Sequence, residues 1–171
     1  FNIYRFQTVN NLWFYCKKSK FLMGSFLYIC RLTKNNEYCA FKDSEIKGFK
    51  SFADKTVLNF DEGITGVIGP NGCGKSNIVD SIRWVIGEHK ISNLRSENLE
   101  SLVFNGSKTR SASGLAEVSL TFENTKNLLP TEFNTVTITR KYYKSGESEY
   151  RLNDVACRLK DIHNLFMDTG V

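Results

Sequence analysis

Eleven consecutive residues, Val67-Ile68-Gly69-Pro70-Asn71-Gly72-Cys73-Gly74-Lys75-Ser76-Asn77, carry the densest chemical information in this 171-residue chain. Gly69, Gly74, Lys75 and Ser76 stand at the offsets of G-x-x-x-x-G-K-[ST], a phosphate-cradling pattern. With glycine at about 7% of residues in proteins, a chain of this length matches it by chance in roughly 1% of cases or less. The chemistry is anion recognition. Glycines let a loop curl until its backbone N–H groups converge on phosphates, and the N-terminus of a following helix adds unpaired N–H groups and partial positive charge. Lys75 is then expected to reach the β- and γ-phosphates of a nucleotide, and the Ser76 hydroxyl to ligate the Mg²⁺ that bridges them. Gly69, Pro70, Asn71, Gly72, Cys73, Gly74, Lys75, Ser76 and Asn77 form the candidate nucleotide-binding set. The competing explanation is a glycine-rich turn that binds nothing.

That chemistry needs a strand before the loop and a helix after it. Ile64 to Ile68 is a short β-branched run that reads as a buried strand, and residues 77–86 carry apolar side chains at 78, 79, 82, 85 and 86, one face of a helix ended by Gly87. Upstream, residues 45–52 and 56–60 read as strands, with a turn at 53–55 and Asp61-Glu62-Gly63 turning into the loop's strand. Downstream, 102–104 reads as a brief strand. Residues 114–123 alternate with Ala116, Val118, Leu120 and Phe122 on one face, and 135–143 with 149–152 form a hairpin. Residues 157–168 place Leu159, Ile162, Leu165 and Phe166 at helical spacing. Small P-loop kinases and GTPases usually begin with the loop's strand. Two strands ahead of it and an antiparallel set behind it favour an α/β P-loop NTPase of the ABC-ATPase kind, with mixed and antiparallel β-sheet and few helices.

Composition, at 41% hydrophobic residues, is that of an ordinary globular domain, and the formal net charge is +5. Residues 1–42 hold seven Lys or Arg against one Glu, so the remainder is close to neutral and bulk charge does not identify a partner. This first stretch also contains 11 of the 22 aromatics and lacks a sustained period. It is expected to be an atypical extension without assigned function, residues 43–171 forming the ATPase lobe. It is read first as an appended or mis-annotated upstream segment, then as an extra strand layer, and last as a targeting signal. The apolar run at 21–30 follows Lys17, Lys18 and Lys20 but is too short to span a bilayer. Cysteines at 16, 30, 39, 73 and 157 show no C-x-x-C spacing, which points away from a disulfide framework or zinc site and toward a reducing cytoplasm. Cys73, inside the loop beside Lys75 and a helix N-terminus, is in a setting that makes thiols reactive. His89 and His163 are isolated and read as surface or packing residues.

Six blocks then resemble one family. Glu45-Ile46-Lys47-Gly48-Phe49-Lys50-Ser51-Phe52-Ala53, Gly69 to Asn77, Asp80-Ser81-Ile82-Arg83-Trp84-Val85-Ile86-Gly87-Glu88, Leu94-Arg95-Ser96, Val103-Phe104-Asn105-Gly106 and Cys157-Arg158-Leu159-Lys160-Asp161-Ile162 resemble, in order, the N-terminal half of the ATPase head of bacterial SMC (structural maintenance of chromosomes) proteins. The resemblance implies ATP and Mg²⁺ as ligands and a cytoplasmic, nucleoid-associated protein with no membrane partner. Its implied partners are the C-terminal half-head of the same protein, a second SMC protomer, DNA and accessory kleisin-type subunits. Arg95 would act like an arginine finger, offsetting charge that develops on the γ-phosphate, against the plain alternative of a surface arginine. The backbone around Lys50 and Ser51 would lie near adenine or ribose. Arg158 and Lys160 would neutralise DNA phosphates, or else simply solvate the start of a helix. Asn98 departs from a basic position of the family and weakens that DNA patch.

Hydrolysis also needs carboxylates to hold Mg²⁺ through water and to activate the attacking water. Asp61-Glu62 imitates such a pair, but Asn59 interrupts the preceding apolar run and Gly63 turns the chain into the loop's strand, so the pair is rejected. The family places the true pair in the C-terminal half-head, and the glutamine loop, signature motif and coiled coil would likewise lie outside these residues. The 171 residues alone are accordingly expected to bind ATP weakly at most and to turn over little. Alternatives are a DNA-repair head of the RecN, RecF or Rad50 sort, a transporter nucleotide-binding domain, and an inactive truncated product. The stretch around Trp84 and the Leu94-Arg95 pair argue against the first, and Asn77 following Ser76 argues against the second.

Overall fold

The computed structural model of the chain describes residues 2–6, 27–30, 40–60, 64–125 and 129–166. In chain order these form β1 (Asn2–Phe6), β2 (Leu27–Cys30), β3 (Ala40–Lys47), β4 (Thr56–Asn59), β5 (Ile64–Ile68), α1 (Lys75–Ile86), β6 (Leu115–Glu123), β7 (Thr135–Tyr143), β8 (Ser148–Leu152), β9 (Val155–Cys157) and α2 (Leu159–Phe166). Short 3₁₀ turns lie at Ile91–Leu94 and Glu100–Leu102. Strands β4-β3-β6-β7-β8-β9 make a six-stranded sheet, and β5 lies between β1 and β2 in a three-stranded one. Every pairing among the described strands is antiparallel.

The larger sheet follows from strict alternation. Ala116, Val118, Leu120 and Phe122 of β6 are all buried, as are Val136, Ile138 and Tyr142 of β7. They face Ile78, Trp84 and Val85 of α1 and Ile162, Leu165 and Phe166 of α2 in one core. Burying each such side chain is worth about 1.5–3 kcal/mol. The opposite face is polar and paired. Lys47, Glu117, Lys141 and Glu149 stand side by side in register across four strands with alternating sign, and the Ser119 and Thr139 hydroxyls meet at 2.8 Å.

The expected strand at 45–52 is two features. β3 begins earlier, at Ala40, and ends at Lys47 because Gly48 adopts φ +62. A Cβ on Gly48 would overlap the Leu115 carbonyl oxygen, so only glycine fits. The chain then turns, with Phe49 making isolated bridges to Phe52 and Val103. The expected strand at 102–104 is thus a 3₁₀ turn followed by one bridge. β9 was not expected. It returns along β8 through Asn153 and Asp154, both at positive φ, a tight hairpin suited to those residue types.

Within residues 1–42, β1 and β2 flank β5 on its two sides. Most of the run at 21–30, and the rejected Asp61-Glu62 pair, fall outside the described residues. Among the described residues, no helix is long and apolar enough to cross a membrane.

Candidate nucleotide-binding site

The glycine loop runs from the end of β5 to the start of α1, which begins at Lys75, two residues earlier than the apolar pattern indicates. Gly72 (φ +80) and Gly74 (φ +94) take left-handed conformations that L side chains rarely adopt, which makes the reversal into the helix possible. Gly74 caps α1 with no side-chain hydrogen bond, and no acidic residue stands in the first turn. The positive end of the helix is therefore left for a ligand.

Lys75 is buried at 6% exposure, and its ammonium turns back into the loop, donating to the carbonyls of Gly69 (2.6 Å) and Pro70 (2.7 Å). A cation so placed sits where phosphate oxygens are expected. Cys73 is half-buried, with Sγ 3.8 Å from that ammonium. Ser76 is exposed at the helix start. Among the described residues no cluster of three His, Cys, Asp or Glu could cage a metal. The exposed Ser76 hydroxyl could serve as one ligand of a Mg²⁺ whose other ligands come from phosphate and water.

Behind the loop, the structure assembles a charged cluster from three distant segments. The Asp80 side chain is 2% exposed, yet its Oδ2 accepts from Lys50 Nζ at 2.6 Å and from Arg95 Nη2 at 2.5 Å. Arg95 also donates through Nε to Asp80 Oδ1 at 3.3 Å and through Nη2 to Asn77 Oδ1 at 3.5 Å. Lys50 further donates to the Leu94 carbonyl. Asn77 in turn donates to the Ser51 hydroxyl at 2.8 Å. Lys50 and Ser51 therefore meet the first turns of α1 through their side chains, and Arg95 is brought to the same face. Left-handed backbone at Lys50 (φ +47) and Arg95 (φ +50) aims both toward α1. Asp80 has no role that sequence reasoning assigns; the signal for it is an acidic residue among the buried positions 78, 81, 84 and 85 of an amphipathic helix.

Arg158 and Lys160 are not part of this assembly. Both are exposed at the start of α2, where the Arg158 N–H donates to Asp161 Oδ2 at 2.9 Å. α2 abuts the far end of α1: a Cβ on Gly87 would come within 2.9 Å of His163 Nε2 and 3.0 Å of Leu159 Cδ1. His163 is thus an exposed packing residue, and His89 lies at the surface. Beside the same end of α1, the buried Arg140 guanidinium lies between the rings of Trp84 and Tyr150, 4.7 Å from each centroid. It donates to the Trp84 carbonyl at 2.7 Å, where a cation complements the helix dipole. Burial lowers the Arg140 pKa from its ordinary value and raises those of Tyr150 and Cys157.

A strand, a glycine loop and a helix backed by a buried antiparallel sheet define an α/β P-loop nucleotide-binding lobe of the ABC-ATPase-like class. The family profile described as the RecF/RecN/SMC N terminal domain matches residues 40–171. The chain belongs to this family, within its SMC branch. It is 55% identical over 130 residues to the chromosome partition protein Smc of Clostridium kluyveri, a match covering 76% of this chain and 11% of that protein. A solved SMC ATPase, described for ATP-driven dimerization and DNA-stimulated activation, is 32% identical with a TM-score of 0.74, covering 77% of this chain and 80% of that one. The Pyrococcus furiosus Smc head with an extended coiled coil, bound to the C-terminal domain of ScpA, is 31% identical with a TM-score of 0.71, covering 78% and 34%. RecF bound to ATP, at 18% identity and a TM-score of 0.51, shares the fold alone. The chain spans about a tenth of the length of the curated Smc relatives it matches.

Proposed function

We propose that residues 43–171 are the ATP-binding lobe of an SMC-type ATPase head, and that the complete protein uses ATP-dependent head engagement to tether DNA in chromosome condensation and partition. The observation that carries this reading is the ammonium of Lys75, held inside a glycine loop at an uncapped helix N-terminus. On this reading Lys75 exchanges its two carbonyl acceptors for phosphate oxygens, and the loop N–H groups of residues 69–77 hold the phosphates in place. Ser76 contributes a hydroxyl to Mg²⁺, which when bound neutralises charge on the β- and γ-phosphates. Ser51 and Asn77 tie the first turn of α1, Lys50 pairs with Asp80 one turn further on, and Arg95 on the same face is placed to stabilise charge on the transferring phosphoryl group.

The partners follow the same reading: the C-terminal half-head, a second protomer, a kleisin-type subunit and DNA, with the protein at the nucleoid. Arg158 and Lys160 suit a DNA contact in being exposed and apart from the nucleotide loop. Titration of the full-length protein with a fluorescent ATP analogue tests the core of the proposal. Binding that weakens at least tenfold in Lys75→Ala, and that loses its Mg²⁺ dependence in Ser76→Ala, is the expected result. Unchanged affinity in Lys75→Ala sinks it. Hydrolysis by the isolated 171 residues, abolished by Lys75→Ala, would overturn the expectation that turnover needs the other half-head.

A further inference from the structure

Two cations share one oxygen of a buried carboxylate just behind the loop. Lys50 Nζ and Arg95 Nη2 both bind Asp80 Oδ2, at 2.6 and 2.5 Å, so they are at most about 5.1 Å apart. Such closeness of like charges is tolerable only because the carboxylate lies between them. The two partners differ sharply in their surroundings. The Lys50 side chain is 10% exposed and is also tied to the Leu94 carbonyl, whereas the Arg95 side chain is 51% exposed. Lys50 is therefore the fixed partner and Arg95 the exchangeable one.

We propose that Asp80 is a positioning residue for Arg95: it docks the guanidinium on the face of α1 beside Asn77, and Lys50 keeps the carboxylate neutralised when Arg95 shifts toward an incoming phosphate. The physical basis is the cost of an unpaired buried charge. If Asp80 had Arg95 as its sole cation, releasing Arg95 would strand a carboxylate in a nearly dry site. With Lys50 in place, a phosphate can compete for Arg95 without that penalty. Asn77, one turn before Asp80 and next to Ser76, connects this docking site to the loop through the Arg95 and Ser51 contacts. The inference rests on the proposed role of Arg95 in turnover and adds how that residue is held and released.

The test is a double-mutant cycle on ATP turnover in the full-length protein. Asp80→Asn is expected to lower kcat at least tenfold with the KM for ATP within threefold of wild type, and to add nothing further in the Arg95→Ala background. A purely structural aspartate would lower kcat equally in both backgrounds, and that result overturns the proposal. If Asp80→Asn does not fold, Lys50→Met examines the same relationship from the other side. It leaves Arg95 as the single cation on Asp80, and a kcat reduced at least fivefold with the KM for ATP within threefold of wild type, restored in Lys50→Arg, supports the exchange. A kcat in Lys50→Met within twofold of wild type refutes it. Wild-type turnover in Arg95→Ala itself would instead remove the underlying role of Arg95, an outcome distinct from additive losses with Arg95→Ala slow.

Discussion

The side-chain amide of Asn77 donates a 2.8 Å hydrogen bond to the Ser51 hydroxyl, joining residues 26 positions apart. This contact fastens the turn after β3 to the first turn of α1, immediately beside Ser76. Because the pair lies at the surface, its worth to global stability is small, whereas its worth to the placement of the loop is not. Asn77→Ala is therefore expected to cost no more than ~1 kcal/mol of folding stability while weakening ATP binding at least threefold. Urea denaturation and nucleotide titration of the same preparation read the two effects separately, and a loss of stability without a loss of affinity contradicts the placement.

Cys73 is half-buried in the loop, 3.8 Å from the Lys75 ammonium. An adduct on its sulfur would occupy the space the phosphates need. A small alkylating reagent is expected to label Cys73 and block ATP binding, and ATP added first should protect it. Peptide mass spectrometry locates the label. Full nucleotide binding by protein labelled at Cys73 contradicts the expectation.

Gly48 admits no side chain. At φ +62, a Cβ here would overlap the Leu115 carbonyl oxygen and stand 2.7 Å from Ser113 Oγ, so Gly48→Ala incurs both backbone strain and a clash with backbone. The expected loss is at least ~2 kcal/mol, or a melting temperature lower by roughly 4–8 °C for a chain of this size. Thermal unfolding followed by circular dichroism measures it. A shift below about 1 °C is incompatible with the close approach of these two backbone segments.

Asn124 organises the connection between β6 and β7 from within. Its buried amide donates to the carbonyls of Leu129 (3.3 Å), Thr131 (3.2 Å) and Phe133 (3.1 Å), and its Oδ1 accepts from Leu129 N–H at 2.8 Å. Asn124→Ala strands a buried N–H and is expected to cost about 2–3 kcal/mol. Limited proteolysis should show faster cleavage between 124 and 134 than elsewhere. A uniform change in cleavage along the chain would argue against a local role.

Arg140 and Tyr150 separate stacking from hydrogen bonding. Tyr150 stacks on the guanidinium, but its buried hydroxyl has no hydrogen-bond partner among the described residues. Tyr150→Phe is expected to change stability by less than ~1 kcal/mol, whereas Arg140→Lys, which cannot lie flat against both rings, should cost ~2 kcal/mol. Burial also raises the Tyr150 pKa. The neutral phenol is thus favoured by folding, and the stability this contributes is complete below pH of about 10 and lost as pH rises through the folded value. Alkaline unfolding curves for wild type and Tyr150→Phe check the sign: the Phe variant should be the less sensitive of the two above pH of about 10.

What could be read from the residues alone depended on how far the cause lay along the chain. The glycine loop, α1 and the alternation of β6 are written in contiguous residues; the alternation is found where the pattern places it, and α1 starts two residues early at Lys75. The end of β3 is different. Gly48 breaks the strand because the Leu115 carbonyl, from another segment, approaches its Cα, and no local signal reports that approach. Asp80 is similar. The apolar spacing at 78, 79, 82, 85 and 86 leaves it off the buried face, and both its burial and its meaning come from Lys50 and Arg95, which only the fold delivers to it. β9 could have been found from Asn153-Asp154, a pair that readily takes the two positive φ angles of a tight hairpin.

Gly87 gives α1 a second kind of importance. A Cβ here would come within 2.9 Å of His163 Nε2 and 3.0 Å of Leu159 Cδ1, so the helix meets side chains of α2 at one end and carries the phosphate loop at the other. Its 12 residues make a rod of about 18 Å. The two ends of α1 thus do separate jobs, and a substitution at Gly87 alters the contact with α2 without touching Lys75 or Ser76 directly.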